Sequence, residues 1–209
     1  MVAREGWPCL AVAVIAAMLI YSNWGLLWTT PVLLLIVWLY LLFRDPLRDV
    51  PPLPLAVIAP VDGKITDIRA SRDEILPGNW TRISIRANSL GAYTVRSPIE
   101  GTIYDIREQS RTGLSGRKTG SLWIRSEDQY DVVLLFPGRH GRWGPKAFVR
   151  YGERVGQGQR FAYLRLAPRA TVFLPESARV EVGVGDYVLA GAGILANISA
   201  NNGDPALNR

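Results

Sequence analysis

Two adjoining stretches decide how this chain is organised: WPCLAVAVIAAMLIYSNW at positions 7–24 and GLLWTTPVLLLIVWLYLLF at 25–43. Neither holds a charged residue, and up to Phe43 the only charges are Arg4 and Glu5. The turn-forming tetrapeptide Ser22-Asn23-Trp24-Gly25 divides them. A bilayer core of about 30 Å takes roughly 20 apolar helical residues, so each run is near the minimum for a span. The first fits if Pro8 opens its helix and Trp24 lies at the interface; Pro31 is expected to kink the second. The apolar sequence runs well beyond the h-region of a signal peptide and has no clean small-x-small cleavage site. Arg4 precedes the first run, Arg44 and Arg48 follow the second, and the turn is uncharged. By the excess of basic residues on cytoplasmic flanks, both ends are expected on the cytoplasmic side. A shallow re-entrant hairpin is the alternative.

The remaining residues have the size of one ordinary domain. We divide the chain into a membrane anchor of two hydrophobic helices (1–43), a Pro-rich linker (44–55), a β domain (56–200) and a flexible tail (201–209). Pro51-Pro52-Leu53-Pro54 should act as a short stiff spacer, because proline fixes φ and favours extended backbone. From Ala56 onward, short β-rich runs are broken by Gly, Pro and Asn, with no long helical period, so the domain is expected to be mainly β. The clearest alternation is Thr81-Arg82-Ile83-Ser84-Ile85-Arg86, with isoleucines on one face. Val132 to Phe136 is continuously apolar and suits a strand buried on both faces. Further strands are expected at Gly63–Ala70, Gly101–Glu108, Leu122–Arg125, Arg160–Leu166 and Thr171–Leu174. The polar stretch Gln109 to Gly120 reads as a mobile surface loop.

The formal charge of +6 belongs almost wholly to this domain. Behind a membrane anchor it points to anionic headgroups rather than nucleic acid, since no aromatic-basic RNA or DNA motif accompanies it. An inert solvated basic surface is the competing reading. Cys9 is alone within the first apolar run, which excludes an intrachain disulfide, and no His, Cys, Asp and Glu cluster has metal-ligand character.

Four segments, taken in order, resemble the membrane-anchored bacterial phosphatidylserine decarboxylases. They are Phe43-Arg44-Asp45-Pro46; Pro60-Val61-Asp62-Gly63-Lys64-Ile65; Arg96-Ser97-Pro98-Ile99-Glu100-Gly101-Thr102-Ile103; and a long one from Phe161-Ala162-Tyr163-Leu164-Arg165-Leu166 through Phe173-Leu174-Pro175 to Val182–Gly191. The resemblance implies a decarboxylase-like β domain with barrel-sandwich, biotinyl-lipoyl-like hairpins at Pro98–Ile103 and Gly185–Gly191. It implies membrane phospholipids as partners and the bacterial inner membrane as location. In the family, a proenzyme cuts itself before the serine of a Gly-Ser pair. That serine becomes a pyruvoyl group, the electron sink for decarboxylation, with help from an aspartate and a histidine.

By this resemblance the aspartate falls on Asp62, the histidine on Tyr93, a second histidine of some members on Arg96, and the Gly-Ser pair on Ala167-Pro168. Proline has no hydroxyl and no ordinary backbone N–H, and no serine lies between Ser126 and Ser177. No pyruvoyl cofactor is therefore expected, because Pro168 precludes it. The leading expectation is a decarboxylase-like protein without pyruvoyl chemistry that binds lipid headgroups or a membrane partner. The rival is a working decarboxylase matured by another route or with an intact homologue. A biotinyl-lipoyl-type carrier is a third reading, but no lysine stands at a hairpin tip.

Single residues carry competing readings. Asp62 is either a retained carboxylate or part of an ordinary Asp-Gly turn, and without its partners the turn is favoured. His140 lies in Pro137–Gly144 and reads as a loop residue. In the same segment Arg139 and Arg142, together with Arg96, are candidates for contact with headgroup phosphate, with a plain surface loop as the alternative. Thr171 is the nearest hydroxyl to the lost cleavage point, but its β-branched side chain in an apolar run suits a strand.

Overall fold

The computed structural model describes residues 2–53, 55–71, 79–88, 91–111, 118–137, 146–164 and 168–198. Among the described residues, two helices, α1 (Gly6–Trp24) and α2 (Leu26–Leu42), precede fourteen strands. The helices form an antiparallel hairpin, because Val2 bridges Arg44 and the Ala3 N–H donates to the Phe43 carbonyl at 2.9 Å, closing the open end. Gly25 makes the tip at φ +77°, ψ −175°, a conformation that only glycine adopts without strain. α2 runs on through Pro31, in its second turn; Thr30 Oγ1 donates to the Leu26 carbonyl and Thr29 Oγ1 to the Gly25 carbonyl.

Small residues let the helices meet: Gly6, Ala13 and Ala17 on α1 and Thr29 on α2 are buried. Every other face stays apolar and outward. Val12, Ile15, Met18, Leu27, Leu34 and Val37 are all exposed. Apolar surface of this extent on a hairpin is what a lipid solvent requires and water penalises. α1, at 19 residues, is long and apolar enough to cross a membrane; α2, at 17, is shorter. Aromatic residues collect towards both ends, with Tyr21, Trp24 and Trp28 near the tip and Trp7, Trp38 and Tyr40 towards the base. Trp7 and Trp24 are separated by about 25 Å of helix rise, close to one hydrocarbon thickness.

The rest of the described chain is mainly β. An eight-stranded antiparallel sheet has the order β13 (Tyr187–Val188), β2 (Gly63–Ser71), β3 (Trp80–Ala87), β11 (Arg169–Pro175), β7 (Asp131–Pro137), β6 (Lys118–Arg125), β5 (Gly101–Arg111), β9 (Arg154–Val155). Two three-stranded sheets accompany it: β1 (Ala56–Ile58), β14 (Ile194–Ile198) and β12 (Ala178–Val180); and β4 (Thr94–Arg96), β10 (Arg160–Tyr163) and β8 (Lys146–Ala147). The main core includes Ile65, Ile83, Ile85, Ile124, Val132, Leu134 and Val172, with Val57, Val95, Phe161 and Leu195 from the smaller sheets. On the opposite face of the large sheet, Trp80, Val133 and Phe173 form a second cluster, flanked by Trp123 and Leu135. The alternation in β3 and the two-sided burial of β7 follow the expected pattern. Thr171 is a buried strand residue in β11.

One expectation needs correcting. The stretch 109–120 is not all loop: β5 continues to Arg111 and β6 begins at Lys118, in one paired ladder, because cross-strand pairing carries polar residues that favour a loop in isolation. The segment 44–55, expected to be a short stiff spacer, is also docked on the domain. Asp45 is 2% exposed, the Gln157 amide donates to the carbonyls of Leu53 and Ala56, and Val50 lies so close to Gly158 that a Cβ there would collide with it.

Candidate functional site

Residues from four distant parts of the chain meet where the hairpin rests on the β domain. Asp62, just before β2, is 3% exposed and accepts three hydrogen bonds. The Ala190 N–H donates to Oδ1 at 2.7 Å, while the Ala92 N–H (2.9 Å) and the Arg48 guanidinium (3.2 Å) donate to Oδ2. Gly91 has no side chain for a reason: a Cβ there would lie 2.7 Å from the Asp62 Cβ. The Asp62 carbonyl also accepts from the Asn88 N–H. Asp62 is thus a buried hub rather than a plain turn residue. A charge taken out of water persists only when it is paired and hydrogen-bonded, as this one is.

Tyr93 follows Ala92 and is 7% exposed. Its hydroxyl donates to Glu5 Oε2 at 2.9 Å, and its ring lies 4.8 Å from Phe43 and 5.9 Å from Tyr163 between centroids. Its backbone N–H donates to the Arg44 carbonyl, and its carbonyl accepts from the Leu164 N–H at 2.7 Å. Tyr93 therefore touches both ends of the hairpin and the start of the segment that leads to Pro168. The carbonyl of Pro168 accepts from the Ala87 N–H at 3.1 Å, one residue from the Asn88 bound to Asp62. Asp62, Tyr93 and Pro168 are gathered in one neighbourhood. Ala167 lies outside the described residues, as do Arg139, His140 and Arg142.

Arg96 is 5% exposed rather than turned to the surface. Its guanidinium donates to the carbonyls of Gly158 (3.2 Å) and Pro46 (2.9 Å) and so ties the linker to β4 and the turn before β10. Burial lowers its pKa; Asp45 and Asp62 pull it back up, while Arg160 and Arg48 push it down further. Residues that motif reading did not single out complete the cluster. Asp45 accepts from Thr94 Oγ1 at 2.9 Å and from Arg160 Nε at 2.9 Å. The signal was present in Phe43-Arg44-Asp45-Pro46, an acid directly behind an apolar run. Nothing in the sequence pairs it with Arg160. Among the described residues, no group of His, Cys, Asp and Glu could hold a metal ion.

In this arrangement the Asp62 and Asp45 carboxylates accept more than one hydrogen bond each, and the Tyr93 and Thr94 hydroxyls donate to carboxylates. The geometry is that of a joint: a hairpin end, a docked linker and the domain edge held together by buried ionic hydrogen bonds.

No protein-family model matches the chain. Curated relatives do. The phosphatidylserine decarboxylase proenzyme of Nitrosomonas europaea is 32% identical over 203 residues, covering 93% of this chain and 94% of the relative. Those of Burkholderia ambifaria and Aromatoleum aromaticum are 30% and 31% identical, covering 94% and 95% of this chain and 96% of each relative. Among solved structures, glucose permease IIA from Mycoplasma capricolum aligns with a TM-score of 0.48 and 16% identity over 69% of this chain and 96% of that one, too slight a likeness to bear on the fold. Near-complete coverage at this identity, in three relatives of the same name, places the chain in the phosphatidylserine decarboxylase family.

Proposed function

We propose that this chain is a phosphatidylserine decarboxylase-family protein of phospholipid metabolism that does not perform pyruvoyl-dependent decarboxylation and instead binds lipid headgroups or a membrane partner at the base of its hairpin. What supports this is Pro168, which the resemblance aligns with the family's cleavage serine, its carbonyl bonded to Ala87 next to the Asn88 that bonds Asp62. A pyruvoyl group does not fit the residues present. Its formation needs a hydroxyl to attack the preceding carbonyl, and proline offers none. Tyr93, at the family's histidine, supports the same reading, because its hydroxyl is bonded to Glu5 and a phenol is a poor base near neutral pH. The Pro98–Ile103 and Gly185–Gly191 elements act in this proposal as biotinyl-lipoyl-like scaffold.

The location proposed is the bacterial inner membrane, with both termini and the β domain cytoplasmic. Arg4 and Arg44 at the hairpin base and an uncharged tip support that orientation. Membrane phospholipids are the proposed partner, with a membrane protein or an intact homologue as the alternative. Arg139 and Arg142 remain candidates for phosphate contact.

Intact-mass measurement of the purified chain tests the loss of self-cleavage. One species near the full 23.1 kDa is expected, and a fragment ending near residue 167 would sink the proposal. Expression in cells lacking phosphatidylserine decarboxylase should fail to restore phosphatidylethanolamine; restoration would establish the rival, a working enzyme matured by another route. Reversion of Pro168→Ser alone is expected to leave the chain uncut, since the family's general base is also absent and such a base contributes about 10²–10⁴-fold.

A further inference from the structure

Adjoining strands of the large sheet carry a row of like charges. Lys64 on β2 stands directly opposite Arg86 on β3, and Arg86 stands directly opposite Arg169 on β11, so these side chains share one face of the sheet. All of them are exposed. Tyr187 on β13 pairs with Lys64 and ends the row; it is 56% exposed, and its hydroxyl accepts from the Asn88 amide at 3.1 Å. Residues directly opposite on neighbouring strands have Cβ atoms about 5 Å apart, and like charges at that spacing are destabilising. Elsewhere the same sheet neutralises its cations. Arg69 and Arg82 both bond Asp67, Arg125 forms a fork with Asp131, and Arg154 meets Glu100 and Glu127. Among the described residues, no carboxylate pairs with Lys64, Arg86 or Arg169. The acids next to the row in sequence are engaged already, Asp62 by Arg48 and the Ala92 and Ala190 N–H groups, and Asp186 by the Gly183 N–H.

A repulsive row that the fold leaves unbalanced suits an anion from outside, and its position selects the anion. Lys64 is two residues, about 7 Å of strand, from Asp62. Asp62 is bonded to the Ala92 N–H, and the next residue, Tyr93, holds the Arg44 carbonyl just past the end of α2. The row therefore lies beside the joint from which the hairpin leaves the domain. We infer that Lys64, Arg86 and Arg169 bind the phosphate of an anionic phospholipid headgroup at the hairpin base, with Asn88 and Tyr187 at the edge of the site. Guanidinium forks take phosphate oxygens in pairs, and the lysine adds a point charge. Bound phosphate turns the mutual repulsion of the row into shared attraction. This rests on the reading of the domain as a headgroup binder and narrows it to one sheet face, apart from Arg139 and Arg142.

The full chain, purified in a non-ionic detergent, is titrated with phosphatidylglycerol, phosphatidylcholine or inorganic phosphate, and bound molecules are counted by native mass spectrometry. The parent should bind phosphatidylglycerol well above the other probes. Each of Lys64→Gln, Arg86→Gln and Arg169→Gln should weaken that binding about five-fold, and all of them together about a hundred-fold, the effect of a basic side chain at an anionic lipid surface. Combined Lys146→Gln, Arg150→Gln and Arg179→Gln removes the same charge from exposed positions off the row and should change it little. Undiminished binding in the row variant overturns the row and leaves headgroup binding standing at another place. Equal loss in both combined variants reduces the effect to net charge and overturns the row as well. A parent without preference for phosphatidylglycerol over phosphatidylcholine removes headgroup recognition, and the row with it. Tight binding of inorganic phosphate that the row variant loses overturns the lipid as occupant. Arg86→Gln should also raise the unfolding midpoint in the same detergent at low salt, by ending its repulsion with Lys64 and Arg169. A lowered midpoint would show that Arg86 has a stabilising partner, and overturns the row as a set of free cations.

Discussion

Asp62 and Tyr93 meet at Ala92, whose N–H donates to Asp62 and which directly precedes Tyr93, and the two hold different parts of the molecule. One is an acid and the other a phenol, and both are engaged in hydrogen bonds at the joint. Asp62 closes the domain on itself, through Ala92 and Ala190, and holds the linker through Arg48. Tyr93 closes the domain on the hairpin, through Glu5, Phe43 and the Arg44 carbonyl. The acid at position 62 thus has a place in the fold, since three donors converge on it. Tyr93 has one too. A phenol reaches where it can bond Glu5 and still present a ring to Phe43.

The largest effect should come from Asp62→Ala. It strands the Arg48 guanidinium and two buried N–H groups, and breaking a buried pair from one side costs about 3–5 kcal/mol. Chemical unfolding of the full chain in detergent checks this; an unchanged midpoint would break the comparison at its first term. Next is Asp45→Ala, which releases Arg160 and Thr94. Arg160 is a third exposed, so solvent screening reduces the loss to about 2 kcal/mol. The loss should be felt first at the joint, as faster proteolysis between residues 43 and 56. Unaltered cleavage there would show that the linker is held some other way.

Tyr93→Phe sharpens the comparison, because it removes the bond to Glu5 and keeps the rings. About 1 kcal/mol should be lost, and Glu5→Gln on top of it should cost little more, since the two share one interaction. Additive losses would mean that Tyr93 and Glu5 act independently. The smallest effect concerns Asp67, on β2 away from the joint. Its hydrogen bond from Arg69 lowers its pKa, with Arg82 adding to the effect and burial opposing it. A depressed carboxylate contributes stability above its unfolded pKa, and that contribution is lost as pH falls through the folded value. Thermal unfolding followed from neutral pH down through the carboxylate range should show a slightly smaller decline in Asp67→Asn than in the parent. An identical profile removes Asp67 from the account.

Much of the architecture was legible in the residues themselves. Two apolar runs split at Ser22–Gly25 need no tertiary context to be recognised as a hairpin, since helix length and bilayer thickness are matched by simple counting. Alternation in Thr81–Arg86 reports a half-buried strand for the same reason: the period of a strand is local. The docking of the linker was not legible, because a Pro-rich stretch constrains backbone shape but says nothing of what lies alongside it. Gln157 and Gly158, some hundred residues on, decide that.

By itself, then, the sequence determined the hairpin, the mainly β domain and the absence of a serine at position 168, all of which depend on residue type and local period. Only the tertiary structure decided what Asp62 does. Its partners Arg48, Ala92 and Ala190 are 14, 30 and 128 residues away, two of them through backbone N–H groups that every sequence carries. A hydrogen bond to an amide leaves no mark in the amino-acid code, so the hub of this molecule became visible only when the chain was folded around it.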